Sequence, residues 1–162
     1  MQIFLLRHGI PEPAQAGRND SDRSLLPEAG DPLRAVLGAA RAAGVQPTLI
    51  MTSPYRRAVE TAKMARAEFG YTGDILRSDA LRPGCGPEEI WSEIRTHKSE
   101  EHILLVGHEP LLGYLTGFLL NTPSLLIEVK CGSMIRIEMD QIGLQPRGVI
   151  RWFLTPELAI GE

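Results

Sequence analysis

Apolar runs along this chain are short, and three of them stop abruptly at residues capable of chemistry. Ile3 to Leu6 ends in Arg7-His8-Gly9, the pattern of a buried strand running into a loop. Thr48 to Thr52 ends in Ser53-Pro54, and Ile103 to Val106 ends in Gly107-His108. Helical patterns lie between these runs. Asp31 followed by Pro32 predicts a cap and a first helical turn, with Gly44 beyond the end. Ser53-Pro54 repeats that start and opens a helix through about Phe69. Pro87 begins a third helix, on which Ile90 and Ile94 share a face, and Leu111 to Leu120 forms a fourth. A short strand is predicted at Ile75 to Leu76. The last third differs, because Leu125 to Val129, Met134 to Met139 and Val149 to Leu154 all read as strands.

Strands alternating with helices, then strands in succession, predict a three-layer α/β/α sandwich. Its central sheet is mostly parallel, with antiparallel strands at one edge. At 162 residues the chain is expected to form one domain, residues 1–162. The exception to regular structure is Ile10 to Gly30, rich in Pro, Gly, Asp, Ser and Arg, which reads as a long functional loop. In such sheets reactive loops gather beyond the C-terminal ends of the central strands.

Composition changes this picture only by exclusion. Apolar residues make up 43% and charged residues 23%, which excludes disorder. A net charge of −3 gives no global reason to expect nucleic acid, although Arg7, Arg18, Arg23, Arg56 and Arg57 offer a local basic pocket. Cys85 and Cys131 have no paired ligand spacing, and His97 and His102 lie in charged sequence; neither pair predicts a metal site. No long apolar run or basic leader is present, so no membrane association and a cytoplasmic location are expected.

The strand-end clusters explain one another chemically. Phosphoryl transfer needs an in-line nucleophile and compensation for the charge on the equatorial oxygens. A neutral imidazole can attack phosphorus, and guanidinium groups grip phosphate oxygens two at a time without ever losing charge. Gly9 would allow close backbone approach, and Ser53 at a helix N-terminus would add a favourable dipole.

Leu6-Arg7-His8-Gly9 resembles the Arg-His-Gly signature of the histidine phosphatase (phosphoglycerate-mutase-like) superfamily. Ser53 to Thr61, SPYRRAVET, is similar to its Ser-x-x-x-Arg-Ala-x-x-Thr motif, and Val106 to Pro110, VGHEP, to its second-histidine motif. The order matches, and the shared fold would cover almost the whole chain. The resemblance implies His8 as nucleophile, Arg7 and Arg57 as phosphate ligands and His108 as a second phosphate-binding histidine. Gly9, Arg23, Ser53 and Glu109 are candidate substrate-binding residues, and Thr61 reads as structural. Within the superfamily the short chain most resembles bacterial phosphohistidine phosphatases of SixA type. Arg23-Ser24-Leu25 followed by Gly30 is similar to that branch's Arg-x-Leu-Thr-x-x-Gly, but Leu26 stands in place of the hydroxyl residue.

The loop after the third strand bears on substrate. Mutases and many phosphomonoesterases of the superfamily carry a glutamate there as general acid, whereas this chain reads Leu81-Arg82-Pro83-Gly84. An alkoxide leaving group needs a proton, while imidazole, whose conjugate acid has a pKa of about 6.5, leaves far more readily. A carboxylate from Glu12, Asp20, Asp22 or Glu109 could replace the missing acid. The expectation is therefore a phosphohistidine phosphatase with no cofactor and no metal. The resemblance implies a phosphotransfer domain or phosphocarrier protein as its substrate. The alternatives are a small-molecule phosphomonoesterase of the same superfamily and a catalytically inactive phosphate-binding module.

Overall fold

The computed structural model describes all 162 residues and forms one six-stranded mixed sheet. In chain order the elements are β1 (Gln2–Arg7), α1 (Gly30–Ala42), β2 (Leu49–Thr52), α2 (Arg56–Phe69), β3 (Ile75–Arg77) and α3 (Pro87–Thr96). They continue with β4 (His102–Gly107), α4 (Leu111–Leu119), β5 (Met134–Ile142), β6 (Pro146–Leu154) and α5 (Pro156–Ile160). The strand order is β3-β2-β4-β1-β5-β6. The first four strands of that order run parallel; β5 is antiparallel to β1, and β6 to β5.

Alternation along each strand feeds two cores. Ile3, Leu5, Met51, Ile103 and Leu105 face α3 and α4, where they meet Ile90, Ile94, Leu112 and Leu115. Phe4, Leu6, Ile50, Leu104 and Val106 face α1 and α2. With a side-chain period of two, a one-residue slip in any of these strands would exchange its two sets of core residues, which fixes the register. On α2 the buried stripe is Ala58, Ala62 and Ala65. Those small side chains let the helix carrying Arg57 lie close to the sheet.

Three expectations are corrected, and one helix is added. Leu125 to Val129 forms no strand: β1 lies between β4 and β5, and β5 already has β1 and β6 as partners. The segment instead leaves Leu126 exposed, buries Val129 and gives the Val129 carbonyl to Arg7. α1 starts at Gly30 as a continuation of a 3-10 turn over Pro27–Ala29, and Asp31 pairs with Arg34 rather than capping the helix. α2 starts at Arg56, three residues after Ser53. α5, unanticipated, is capped by Thr155, whose hydroxyl accepts from the Leu158 N–H, and packs against α1.

Candidate active site

Three neighbouring strands, β2, β4 and β1, end side by side, and their registers place the clusters together. Arg7 pairs with Gly107 across β1 and β4, and Thr52 with Val106 across β2 and β4. Backbone bonds continue one residue past the strands: His8 N donates to Gly107 O at 3.1 Å and Ser53 N to Val106 O at 2.9 Å. The two imidazoles that follow have ring centroids 5.0 Å apart.

His8 has a defined tautomer. Its Nδ1 lies 2.7 Å from the Gly9 carbonyl, which can only accept, so Nδ1 carries the proton and Nε2 presents its lone pair. Arg57 Nε donates to that lone pair at 3.3 Å. Burial is the main cause that lowers the His8 pKa to about 4; Arg57, Arg7 and Arg23 add to it, while the Gly9 bond opposes it. The ring is therefore neutral at pH 7, as a nucleophile must be.

His108 is nearly inaccessible, and its Nε2 lies 2.7 Å from Ser53 Oγ. That oxygen also accepts from Tyr55 N at 3.2 Å, and its hydrogen can be given to Nε2. In that tautomer Nδ1 of His108 is a buried N–H with no protein partner. Burial, then His8 and the three arginines, lower the His108 pKa to about 3. Tyr55 packs its ring edge-on against His108, 5.2 Å between centroids, and beneath the Arg57 guanidinium at 5.1 Å.

The arginines are held differently. Arg57 is 5% exposed and donates through Nη1 to the Asp20 carbonyl at 2.8 Å and through Nη2 to the Asp20 carboxylate at 3.0 Å. Arg23 meets the other oxygen of the same carboxylate at 3.0 Å. Arg7 anchors Nη1 on the Val129 carbonyl at 2.8 Å, leaving a buried Nε without a partner. Asp20 thus lies across two guanidiniums that could also grip a phosphate, and the unpartnered donors of Arg7 and His108 suit the same oxyanion.

The remaining candidates sit close by with other contacts. Gly9 gives its N–H to Thr61 Oγ1 at 3.1 Å, and a Cβ there would lie 3.3 Å from the Leu25 side chain. Ser53 orients His108 and does not begin the helix. Glu109 accepts from Gly113 N at 2.7 Å in the first turn of α4; burial raises its pKa. Of the other carboxylates considered, Glu12 accepts from Ser24 N on the surface, and Asp22 lies at the rim of the adjacent groove. Arg18 and Arg56 are exposed. His102, expected on the surface, begins β4 and packs edge-on against Phe4. Cys85 and Cys131 are free thiols. No three His, Cys, Asp or Glu side chains gather into a set able to hold a metal, and no helix is long and apolar enough to cross a membrane.

Asp20 carries little sequence signal: it is one of several loop acids, and only the fold brings it to Arg57. Thr61 ends a motif, but its partner Gly9 lies 52 positions away.

Comparison with known proteins bears on the family and the fold. Residues 3–82 match the model of the histidine phosphatase superfamily (branch 1). An uncharacterized protein of Picosynechococcus sp. is 31% identical over 114 residues, 70% of this chain and 69% of that protein. Phosphohistidine phosphatase SixA of Escherichia coli K12 is 26% identical over 96% of this chain and 94% of its own length. Among solved structures, the protein histidine phosphatase SixA complexed with tungstate superposes with a TM-score of 0.83 at 22% identity, covering 96% of this chain and 97% of that one. An E. coli K-12 structure described as a putative α-ribazole-5′-P phosphatase gives 0.76 at 16% identity, covering 96% and 98%. The last two establish a common fold.

Proposed function

This chain belongs to the histidine phosphatase superfamily, and from that premise we propose that it hydrolyses phosphohistidine in a protein by way of a phosphoryl group carried on His8. Membership supports phosphatase activity as such. The observation that carries the finer proposal is the state of His8: a buried neutral imidazole, fixed as the Nδ1–H tautomer, with Nε2 facing guanidinium donors.

Nε2 of His8 attacks phosphorus in line as the substrate's P–N bond breaks. Arg57 turns its donors from Nε2 and Asp20 to the equatorial oxygens, and Arg7 Nε and His108 Nδ1–H complete the shell. The leaving imidazole needs no protein acid, because its second ring nitrogen can take a proton from solvent before the bond breaks, so it departs neutral. Water then attacks the phosphorus on His8, releasing inorganic phosphate and restoring the neutral ring. The positive charge required is supplied by guanidiniums, so no metal or cofactor enters the scheme.

Supporting a P–N substrate, the loop after β3 holds a single carboxylate, Asp79, which is exposed and paired with Arg82, while Leu81 beside it is buried. Asp20 keeps its pairing with Arg23 when Arg57 turns to the phosphoryl group, and Glu109 is held by the Gly113 N–H of α4. The expected substrate is a phosphotransfer domain or phosphocarrier protein; the name of the E. coli relative supports the phosphohistidine in it. Hydrolysis of a phosphohistidine protein and phosphoimidazole is to be compared with that of simple phosphate esters, for wild type and His8→Ala. Much faster P–N turnover, abolished in the variant, is expected. Faster ester turnover would replace the substrate by a small-molecule ester, and full activity of His8→Ala would refute the mechanism.

A further inference from the structure

Beside the mouth lies an open groove of ≈ 550 Å³, rimmed by Arg56, Lys63, Arg77 and Arg82 against only Asp22 and Glu60. This surplus of positive charge is local, since the chain as a whole carries −3. Arg56 and Arg82 are each paired with a carboxylate, Glu60 and Asp79, but Lys63 and Arg77 have no ionic partner although both are exposed. The groove also joins the catalytic mouth directly. Tyr55 lines it while touching both His108 and Arg57. A substrate protein whose phosphohistidine reaches His8 must therefore lay neighbouring surface over this groove.

We propose that the groove docks an acidic segment of the substrate protein, with glutamates or aspartates flanking the phosphohistidine meeting Lys63 and Arg77. This rests on the reading that the substrate is a phosphoprotein. The form of the charge favours a string of carboxylates over a second phosphate of a small molecule. A phosphate subsite needs donors converging on one point, usually with buried side chains, as Arg57 provides at the catalytic centre. Here the cations are exposed and spread over two turns of α2, the end of β3 and the turn after it. Arg56 and Lys63, seven positions apart, lie about 10 Å apart along the same face of α2. Such spacing suits several separate charges. It would act chiefly on encounter rate and partner choice.

The test uses the full chain carrying His8→Ala, which cannot turn over, and labelled phosphohistidine peptides flanked by glutamates or by lysines. Fluorescence anisotropy is read with this parent and with Lys63→Glu/Arg77→Glu added, neither position belonging to the catalytic set. The glutamate-flanked peptide should bind about tenfold more tightly than the lysine-flanked one. The double reversal should erase or invert that preference, and high salt should weaken it. The unphosphorylated glutamate peptide should bind weakly and lose that binding in the same variant. Equal binding of both peptides, or a preference that survives the reversal, overturns the proposal. Pyrophosphate competing with the unphosphorylated acidic peptide more strongly than that peptide's own unlabelled form would overturn it too, in favour of a small-molecule subsite. Should wild type prefer acidic peptides yet fail to hydrolyse phosphohistidine, the groove stands and the proposed reaction falls.

Discussion

Thr61→Val is a near-isosteric change that removes one oxygen from the seam between the nucleophile loop and the clamp helix. Thr61 is fully buried; its Oγ1 accepts from Gly9 N at 3.1 Å and donates to the Arg57 carbonyl at 2.8 Å. Without it, the Gly9 N–H is left buried and unpaired, which costs about 1–3 kcal/mol. The Arg57 carbonyl loses less, because it keeps a place in the helix ladder. For a chain of this length each kcal/mol corresponds to about 2–4 °C in Tm, so a fall of about 2–12 °C is expected. Thermal and urea unfolding measure that fall, and kcat on phosphoimidazole reports whether the His8 loop has lost its position. Thr61→Ser separates the hydroxyl from the methyl group: it gives up some packing but should keep kcat near wild type, whereas Val should not. A Val variant as stable and as fast as wild type would show that the Gly9 bond has no role in holding the nucleophile.

Further outcomes follow from the same geometry. With the His8 pKa near 4, kcat/KM, corrected for titration of the substrate, should hold its plateau well below pH 6.5 and fall only as pH approaches 4; a midpoint at 6.5 would contradict the account. Both histidines have lowered values, so below 6.5 the unfolded chain takes up protons that the folded chain refuses. Stability should then fall from pH 6.5 down to about 3, the His8 part of the loss ending near 4, and urea unfolding of His108→Asn should show a shallower loss. Arg57→Lys loses the fork to Asp20 and the bond to His8, and should lower kcat/KM by about 10²-fold or more; a change under threefold would sink the clamp role. Gly117→Ala would set a Cβ 2.8 Å from the Thr122 carbonyl and destabilise by about 1–3 kcal/mol. Gly38→Ala, in α1 with nothing nearer than 3.9 Å, should stabilise by about 0.5–1 kcal/mol. Equilibrium unfolding of the pair checks both signs.

What could be read in the sequence was local. Strands such as Ile3 to Leu6 and Ile103 to Val106 are apolar on both faces, and only a sheet covered on both sides accepts that. Arg7-His8-Gly9 and Gly107-His108 followed from their positions at strand ends. Long-range competition hid the rest. Leu125 to Val129 has the composition of a strand, but both sides of β1 are already taken by β4 and β5, and the Val129 carbonyl serves Arg7 instead. Ser53-Pro54 has the look of a helix start, yet the hydroxyl turns to His108. Thr155-Pro156 carried the same signature and there it did open a helix. Asp20 lies 37 positions from the arginine it holds, a distance no local pattern reports.

The central claim is a phosphoryl group on His8, and trapping it is the most direct measurement. Wild type is mixed briefly with a phosphohistidine protein, quenched in alkali where P–N bonds survive, digested and analysed by mass spectrometry. The account predicts an acid-labile phosphoryl group on the peptide that contains His8, absent from His8→Ala. Label on His108, or rapid turnover with no labelled histidine at any time after mixing, would contradict it.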